Sequence, residues 1–456
     1  MIARIGKVLN RWSERYVPDP FVLVLILTLV VAVAAFFGGA DVAGMPAGER
    51  VEHLASGWFG QFYDTGLMKF AMQMAIVLIT GHALAMSAPV RRGISRLAQI
   101  ASSPGAAVVV VALVACLASL IQWGLGAIAG AFMAREMGRA FAKQGKPVHY
   151  PLLGAAGYAG FLVWHGGLSG TAPLAVAQEG HFLEETLGVI PVGETLFSPL
   201  NLAVTGMLLV VIPLLFWRLM PGDPDQMRGY DEEEHGTGGE ISEDLVRREG
   251  WVGALEGSRG LNLLVGGAMV MVMVLYFGER GWEGWNLDSI NLCFLTLGIL
   301  FHQSPRSYAL AIADGARGAA GIILQFPFYF GILGLLIASG LVAQISTFFL
   351  SISTATTYPI WTFLSAGVVN FFVPSGGGQW AVQGPVMMEA VEALGVEPHR
   401  ALMALSYGDA WTNMLQPFWA LPLLGIMGLK ARDIIGYTAF VFAVTGPLIV
   451  LMLLVL

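Results

Sequence analysis

The chain has 456 residues, 56% of them hydrophobic and only 12% charged, with a net charge of −7 and a mean hydropathy of +0.70. Soluble domains carry roughly a quarter charged residues, so this composition excludes a soluble protein and points to an all-α polytopic membrane protein. Much of the acid sits in one loop, so the net charge identifies no partner beyond the bilayer, and no nucleic acid is expected.

The two cysteines, Cys116 and Cys293, fall inside apolar runs, and no His or Cys pair has ligand spacing. Neither a disulfide nor a metal site is therefore expected. Arg4, Lys7, Arg11 and Arg15 imitate the basic start of a signal peptide. Glu14, Asp19, two prolines and an interfacial Trp and Tyr favour instead an uncleaved first helix with a cytoplasmic amphipathic lead-in.

In chain order, residues 21–38 leave the cytoplasm, and the loop 41–64, with Arg50 as its only arginine, suits the outside. Residues 66–87 return to Arg91, Arg92 and Arg96, which mark the cytoplasm by the positive-inside rule. The apolar stretch 106–142 is interrupted at Gln122, Trp123 and Gly124 and ends in Arg135, Arg139, Lys143 and Lys146. Base on both flanks predicts a re-entrant hairpin opening to the cytoplasm. The alternative is one long helix whose Gly126 and Gly130 serve packing. Residues 150–178 are long enough to span, yet the run WHGGLSGTAP from Trp164 to Pro173 should unwind the helix at mid-depth. An acidic outside segment, 179–194, and a returning span, 196–217, close the first half.

Residues 221–259, with the run DEEEHGTGGEISED and Arg228, Arg247, Arg248 and Arg259, read as an acidic cytoplasmic linker, most simply a tether. Spans follow near 262–277, 290–303 and 319–340, and the uncharged stretch 341–357 lies outside. NFFVPSGGGQW, residues 370–380, then breaks an apolar run with Pro374, Ser375 and three glycines. Irregular backbone at membrane depth is tolerated only where it is buried in protein or lines a cavity. This stretch is expected to be a second re-entrant hairpin, opening outward past Glu389, Glu392 and Glu397. Residues 402–424 cross inward through DAWTNMLQP, Lys430 and Arg432 mark the cytoplasm, and the last span ends outside.

The order of hairpin, broken span and terminal span occurs twice. Laying 119–136 over 370–387 sets Gly124 on Ser375 and Gly126 on Gly377; slightly downstream, Tyr158 falls on Tyr407 and Pro173-Leu174 on Pro422-Leu423. The second half has one more span before its hairpin, which inverts it. The expectation is about nine transmembrane helices plus two re-entrant hairpins in two inverted repeats, 1–220 and 260–456, with the N-terminus cytoplasmic and the C-terminus outside. That is the architecture of secondary transporters.

The two tips and two broken helices define the candidate site. Substrate-binding candidates are Ser375, Gly376, Gly377, Gly378 and Gln379 at the second tip, and Gln122, Trp123 and Gly124 at the first. Ser169, Thr171 and Asn413 join them from the broken helices. Coupling-ion candidates are Asp409, His165, Thr412 and Asn370. Trp164, Phe371, Phe372, Trp380, Phe418 and Trp419 lie around them. Neutral donors and aromatic walls suit a small solute with one anionic end and an apolar body. Intramembrane ionisable residues are functional candidates by default, which favours Asp409 as proton carrier or sodium ligand over a helix-breaking Asp bonded to local backbone. His165 reads equally well as a group satisfying backbone; His82, His302 and the Asp314/Arg317 pair read as structural or interfacial, with a gate as the alternative for the last. Moving an anion into a negative-inside cell costs about 2.3 kcal/mol per 100 mV, so an importer must carry a cation, H+ or Na+, and no other cofactor is expected. Two rival classes remain: a membrane-embedded acyl-transfer enzyme using His165 and Asp409 as acid and base, for which no nucleophile motif appears, and a channel.

VPSGGGQWAVQGPVMMEA (373–390), SYGDAWTNMLQPFWALPLLGI (406–426) and the opening YVPDPFV (16–22) resemble the signature stretches of the bacterial short-chain fatty acid transporter (AtoE-type) family over nearly the full chain. The resemblance implies cation-coupled uptake of short monocarboxylates such as butyrate or acetoacetate across the bacterial inner membrane. The family is similar to a wider ion-transporter superfamily, which implies an elevator mechanism on a homodimeric scaffold. Sodium-dicarboxylate members of that superfamily carry Ser-Asn-Thr at both tips. This chain has Gln122-Trp123-Gly124 and Pro374-Ser375-Gly376, so their sodium and diacid contacts do not carry over. A carrier of dicarboxylate or amino-acid-like anions is the alternative within transporters.

Overall fold

The computed structural model describes residues 20–98, 100–177, 181, 183–231, 250–281, 287–371, 376–416 and 419–456. The expected amphipathic lead-in, the acidic run of the linker (232–249) and the second tip at 372–375, Ser375 included, lie outside them. Every regular element among the described residues is helical, and seven helices are long and apolar enough to cross a membrane. The chain is thus a multi-pass helical membrane protein.

The outer group is α1 (Pro20–Gly38), α2 (Ala47–Phe62), α3 (Thr65–Met86) and a short α4 (Ala88–Ala98). Residues 41–64 were expected as loop, but α2 occupies most of that stretch and lies along a later span, Ala320–Ser339. The contact is made by small residues: a Cβ on Gly57 would stand 2.6 Å from Ala338 Cβ, and one on Gly334 only 2.2 Å from Gly57 O. Close backbone approach of this kind drives helix association where lipid offers no hydrophobic gain. Arg50 serves the same corner, donating from Nη1 to Phe36 O at 2.6 Å and from Nη2 to Met45 O at 3.2 Å. It thereby satisfies a carbonyl at the C-terminal end of α1.

Next come α5 (Pro104–Ile121) and α6 (Trp123–Lys143), joined through extended Gln122 (φ −161°, ψ 130°). Gly126 lies against Ser119 and Gly130 against Ala115, so the two run antiparallel. The chain therefore does reverse at Gln122, and the single-long-helix alternative falls. α7 (Tyr150–Tyr158) follows, buried along its whole length, and crosses α6 where Gly157 meets Gly130. It unwinds into 3-10 turns at Ala159–Leu162 and Trp164–Gly166 before α8 (Thr171–Ala175), so the break begins five residues earlier than the glycine run suggested. α9 (Pro199–Leu219) packs back on α5.

The described start of the linker is more than a tether. Arg228 N–H donates to His149 Nδ1 at 2.9 Å, Tyr150 N–H donates to Arg228 O at 2.8 Å, and Arg228 Nη1 donates to Asp433 Oδ1 at 2.9 Å. With Nδ1 accepting, His149 carries its hydrogen on Nε2, which lies 2.7 Å from Tyr437 Oη.

The second half adds α10 (Arg259–Arg280), α11 (Leu287–Phe301), α12 (Pro305–Gly318) and α13 (Ala320–Ser339) to the outer group. α12 was not expected. It packs on α3, and its Asp314 pairs with His82 at 2.9 Å, with the Arg317 charge a lesser influence on it. α14 (Leu341–Ser351) fills part of the supposed outer loop. α15 (Tyr358–Asn370) and α16 (Gly376–Leu394) are antiparallel: Gln379 Nε2 donates to Ala366 O at 2.9 Å, and Tyr358 Oη donates to Met387 O at 2.7 Å. α17 (Pro398–Thr412) breaks into a 3-10 turn at Asn413–Leu415, resumes as α18 (Leu421–Met427) and leads to α19 (Ala431–Val455). Helices α5–α9 and α15–α19 make up an inner group around the two breaks.

Candidate functional site

The second hairpin enters the site through the first turn of α16. A Cβ on Gly376 would lie 2.8 Å from both Cε1 and Nε2 of His165 and 3.1 Å from Thr171 Oγ1. The first turn of α16 thus rests on the break of the other half. His165, with no exposed surface, puts Nε2 3.4 Å from Asp409 Oδ1, and Asp409 is itself 1% exposed. The expected meeting of a hairpin and two broken helices is therefore present, and it brings together the two ionisable candidates.

Asn370, the last residue of α15, organises the other side. Its Nδ2 donates to Asp409 O at 2.8 Å, Asn413 Oδ1 at 2.9 Å and Thr412 Oγ1 at 3.0 Å. Gln416 Nε2 donates in turn to Asn370 O. It is the main-chain oxygen of Asp409 that joins this network; the carboxylate does not. Among the described residues, Asp409 Oδ2 is buried without a hydrogen-bond partner, as are both His165 ring nitrogens, Asn370 Oδ1, Gln379 Oε1, Asn413 Nδ2 and Gln416 Oε1. Each orphaned buried polar atom costs about 1–3 kcal/mol, and these lie on the first turn of α16, the end of α15 and the two breaks.

Gln379 reaches backward. Besides Ala366 O, its Nε2 donates to Gln383 Oε1 at 2.9 Å, and Gln383 Nε2 donates to Ser365 Oγ at 2.6 Å. This ladder stiffens the α15–α16 pair. Gly377 is exposed, and a Cβ there would meet only Thr171 Cγ2 at 3.4 Å; Gly378 lies in the same first turn of α16.

At the first tip, the candidates are engaged with each other. Gln122 Oε1 accepts from Leu125 N–H at 2.7 Å as the N-cap of α6, and Ser169 Oγ accepts from Trp123 N–H at 3.0 Å. Leu168 N–H donates to Leu120 O at 2.7 Å. The loop that breaks the α7–α8 span therefore closes over the first tip and takes up the Trp123 main-chain N–H, while the oxygens of Gln122 and Ser169 act as acceptors. Gly124 sits beneath the Gln122 side chain. Above them the rings form a wall: Trp123 meets Trp419 edge-on at 5.2 Å and Trp164 at 6.3 Å, and Phe161 stacks on Trp419 at 5.7 Å. Trp164 joins this wall to the adjacent His165.

Phe161, Gln383 and Ser365 were not among the candidates; each is one apolar or polar residue in a run of similar ones, with no local signal. Tyr158 and Tyr407 did carry one, their matched places in the two halves. Tyr158 Oη donates to Asn413 O at 2.8 Å and Gln416 O at 3.2 Å, and Tyr407 Oη donates to Asn201 Oδ1 at 3.1 Å. Among the described residues, no group of three or more His, Cys, Asp or Glu side chains has metal-site geometry.

The family model described as "Short chain fatty acid transporter" matches residues 1–456. A protein of Escherichia coli (strain K12) named for short-chain fatty acid transport is 39% identical over 445 residues, covering 97% of this chain and 98% of its own. One of Haemophilus influenzae with the same designation is 35% identical over 458 residues, covering 99% of each. Among solved structures, the Alcanivorax borkumensis YdaH transporter is similar at a TM-score of 0.44 and 16% identity, over 96% of this chain and 97% of that one. Neisseria gonorrhoeae MtrF is similar at 0.35 and 14%, over 97% of each. Likenesses that distant carry no argument about this chain.

Proposed function

The chain belongs to the short chain fatty acid transporter family, and from that premise we propose that it is a cation-coupled carrier of short monocarboxylates such as butyrate or acetoacetate. Its family and both relatives are named as transporters, which removes the acyl-transfer reading of His165 and Asp409.

The observation that carries the substrate reading is the content of the buried cluster. Its described side chains are His165, Asn370, Gln379, Asp409, Thr412, Asn413 and Gln416, with half-buried Thr171 at the edge; among these there is one acid and neither lysine nor arginine. Of the unengaged atoms there, Asn413 Nδ2 and the His165 ring can donate to one carboxylate, while the free oxygens of Asn370, Gln379, Asp409 and Gln416 can only accept and suit the cation; the Trp123–Phe161–Trp164–Trp419 wall can cover a short carbon chain. A second carboxylate would need a second donor cluster or a fixed cation. Asp409, buried and with one oxygen unengaged, is the group for the coupling cation, H+ or Na+, with His165 beside it.

For the mechanism, the two groups of helices support an elevator arrangement. The inner group of hairpins and broken helices slides as a unit past α1–α3 and α10–α13, which hold a homodimer in the bacterial inner membrane. Nine crossings with two re-entrant hairpins in inverted repeats, a cytoplasmic N-terminus and an outward C-terminus fit the charge bias of the loops. Uptake of radiolabelled butyrate into proteoliposomes tests the coupling. Sodium and pH gradients imposed separately should show saturable uptake driven by one of them; uptake indifferent to both would leave a channel.

A further inference from the structure

We infer that Asn201, together with Tyr407, is a positioning residue that sets the distance between His165 and Asp409. This rests on the reading of that pair as the cation site. Asn201 lies near the start of α9, 1% exposed, and nothing in its sequence surroundings marks it. Its amide donates to Gly166 O at 2.9 Å and to Leu196 O at 2.7 Å, and its Oδ1 accepts from Tyr407 Oη at 3.1 Å and Thr205 Oγ1 at 3.3 Å. All four hydrogen bonds open to an asparagine side chain are made, from one fully buried position.

The partners give this its meaning. Gly166 follows His165 in the 3-10 turn, so holding its carbonyl fixes the Gly166–Gly167 peptide, one residue beyond the Cα that carries the imidazole. Tyr407 precedes Asp409 by two residues on α17. The bridge from Gly166 through Asn201 to Tyr407 therefore ties the break bearing the histidine to the helix bearing the acid. The space is also closed sterically, since a Cβ on Gly166 would stand 2.7 Å from Asn201 Oδ1. The other half has a counterpart: Tyr158, the residue matched to Tyr407, donates directly to Asn413 O in the opposite break. Each broken helix thus carries a tyrosine that braces the other half's break, and on the Tyr407 side the gap is spanned by Asn201. A satisfied buried network of this kind holds a geometry rather than a mere contact.

The test uses the full chain in proteoliposomes with the cation that drives uptake. Tyr407→Phe removes one hydroxyl and leaves Asn201 Oδ1 its bond from Thr205. Thr205→Val removes the other, and provides a second variant should the first fail to fold. Half-activation by the driving cation should shift about threefold or more in either variant, while butyrate half-saturation stays within about twofold. A purely structural role would lower the amount of active carrier and leave both constants alone; that result overturns the inference. Asp409→Asn is run in parallel. Loss of driven uptake there with unshifted constants in the tyrosine and threonine variants overturns positioning alone, whereas driven uptake surviving in Asp409→Asn overturns the site reading and this inference with it.

Discussion

Asp409→Asn is expected to abolish accumulation of butyrate against its gradient. The substitution keeps the side chain's shape in a position 1% exposed and removes only the charge that pairs with His165 at 3.4 Å. A tenfold cation gradient is worth about 1.4 kcal/mol and can sustain up to about tenfold accumulation per coupled cation. The wild-type carrier should approach that ratio, and the variant should equilibrate at about one. Measuring the accumulation ratio at steady state separates coupling from a lower number of active carriers, which changes only the time to reach it. A variant that still accumulates butyrate tenfold would return Asp409 to a structural role.

Gly376→Ala should be nearly as damaging, for a steric reason. The added methyl would lie 2.8 Å from two atoms of the His165 ring, and that ring has no exposed surface and packs against Trp164. Neither side can yield cheaply, so the first turn of α16 is pushed out of place at about 1–3 kcal/mol. A displacement near 1 Å at a binding site costs about a hundredfold in rate; a 10- to 100-fold loss of uptake is expected. Gly377→Ala is the internal control. Its methyl meets Thr171 Cγ2 at an ordinary 3.4 Å, and an alanine favours the helix, so its effect should stay within about threefold. Equal uptake by the two variants would show that the first turn of α16 does not rest on His165 during transport.

The parts of the fold that were legible in the sequence are those where membrane physics is strict. Uninterrupted apolar runs mark spans, and Gln122-Trp123-Gly124 between basic flanks marks a reversal. Runs such as WHGGLSGTAP mark a helix that cannot stay wound. α2 was hidden because its charges, Glu49, Arg50 and Glu52, read as loop, while its reason for being helical lies in Gly57 meeting Gly334 across 277 positions of sequence. α12 was hidden in the same way, since its partner for Asp314 is His82 on α3. At the site, Asp409 and His165 were legible because ionisable groups inside spans are rare. Gln122 and Ser169 were read as substrate donors; their oxygens accept from Leu125 and Trp123 N–H, an engagement hidden in sequence, which shows a polar group and not its partner. Asn201 is the extreme case: one asparagine in an apolar helix, whose meaning depends on Gly166 and Tyr407 together.

Counterflow tests the central claim most directly. Proteoliposomes holding the full chain are loaded with unlabelled butyrate and diluted into a trace of labelled butyrate, with no ion gradient across the membrane. A monocarboxylate carrier should show a transient overshoot of label inside, abolished when succinate replaces butyrate in the lumen. An overshoot supported equally by luminal succinate, or label that only drifts to equilibrium, would contradict a carrier built for one carboxylate.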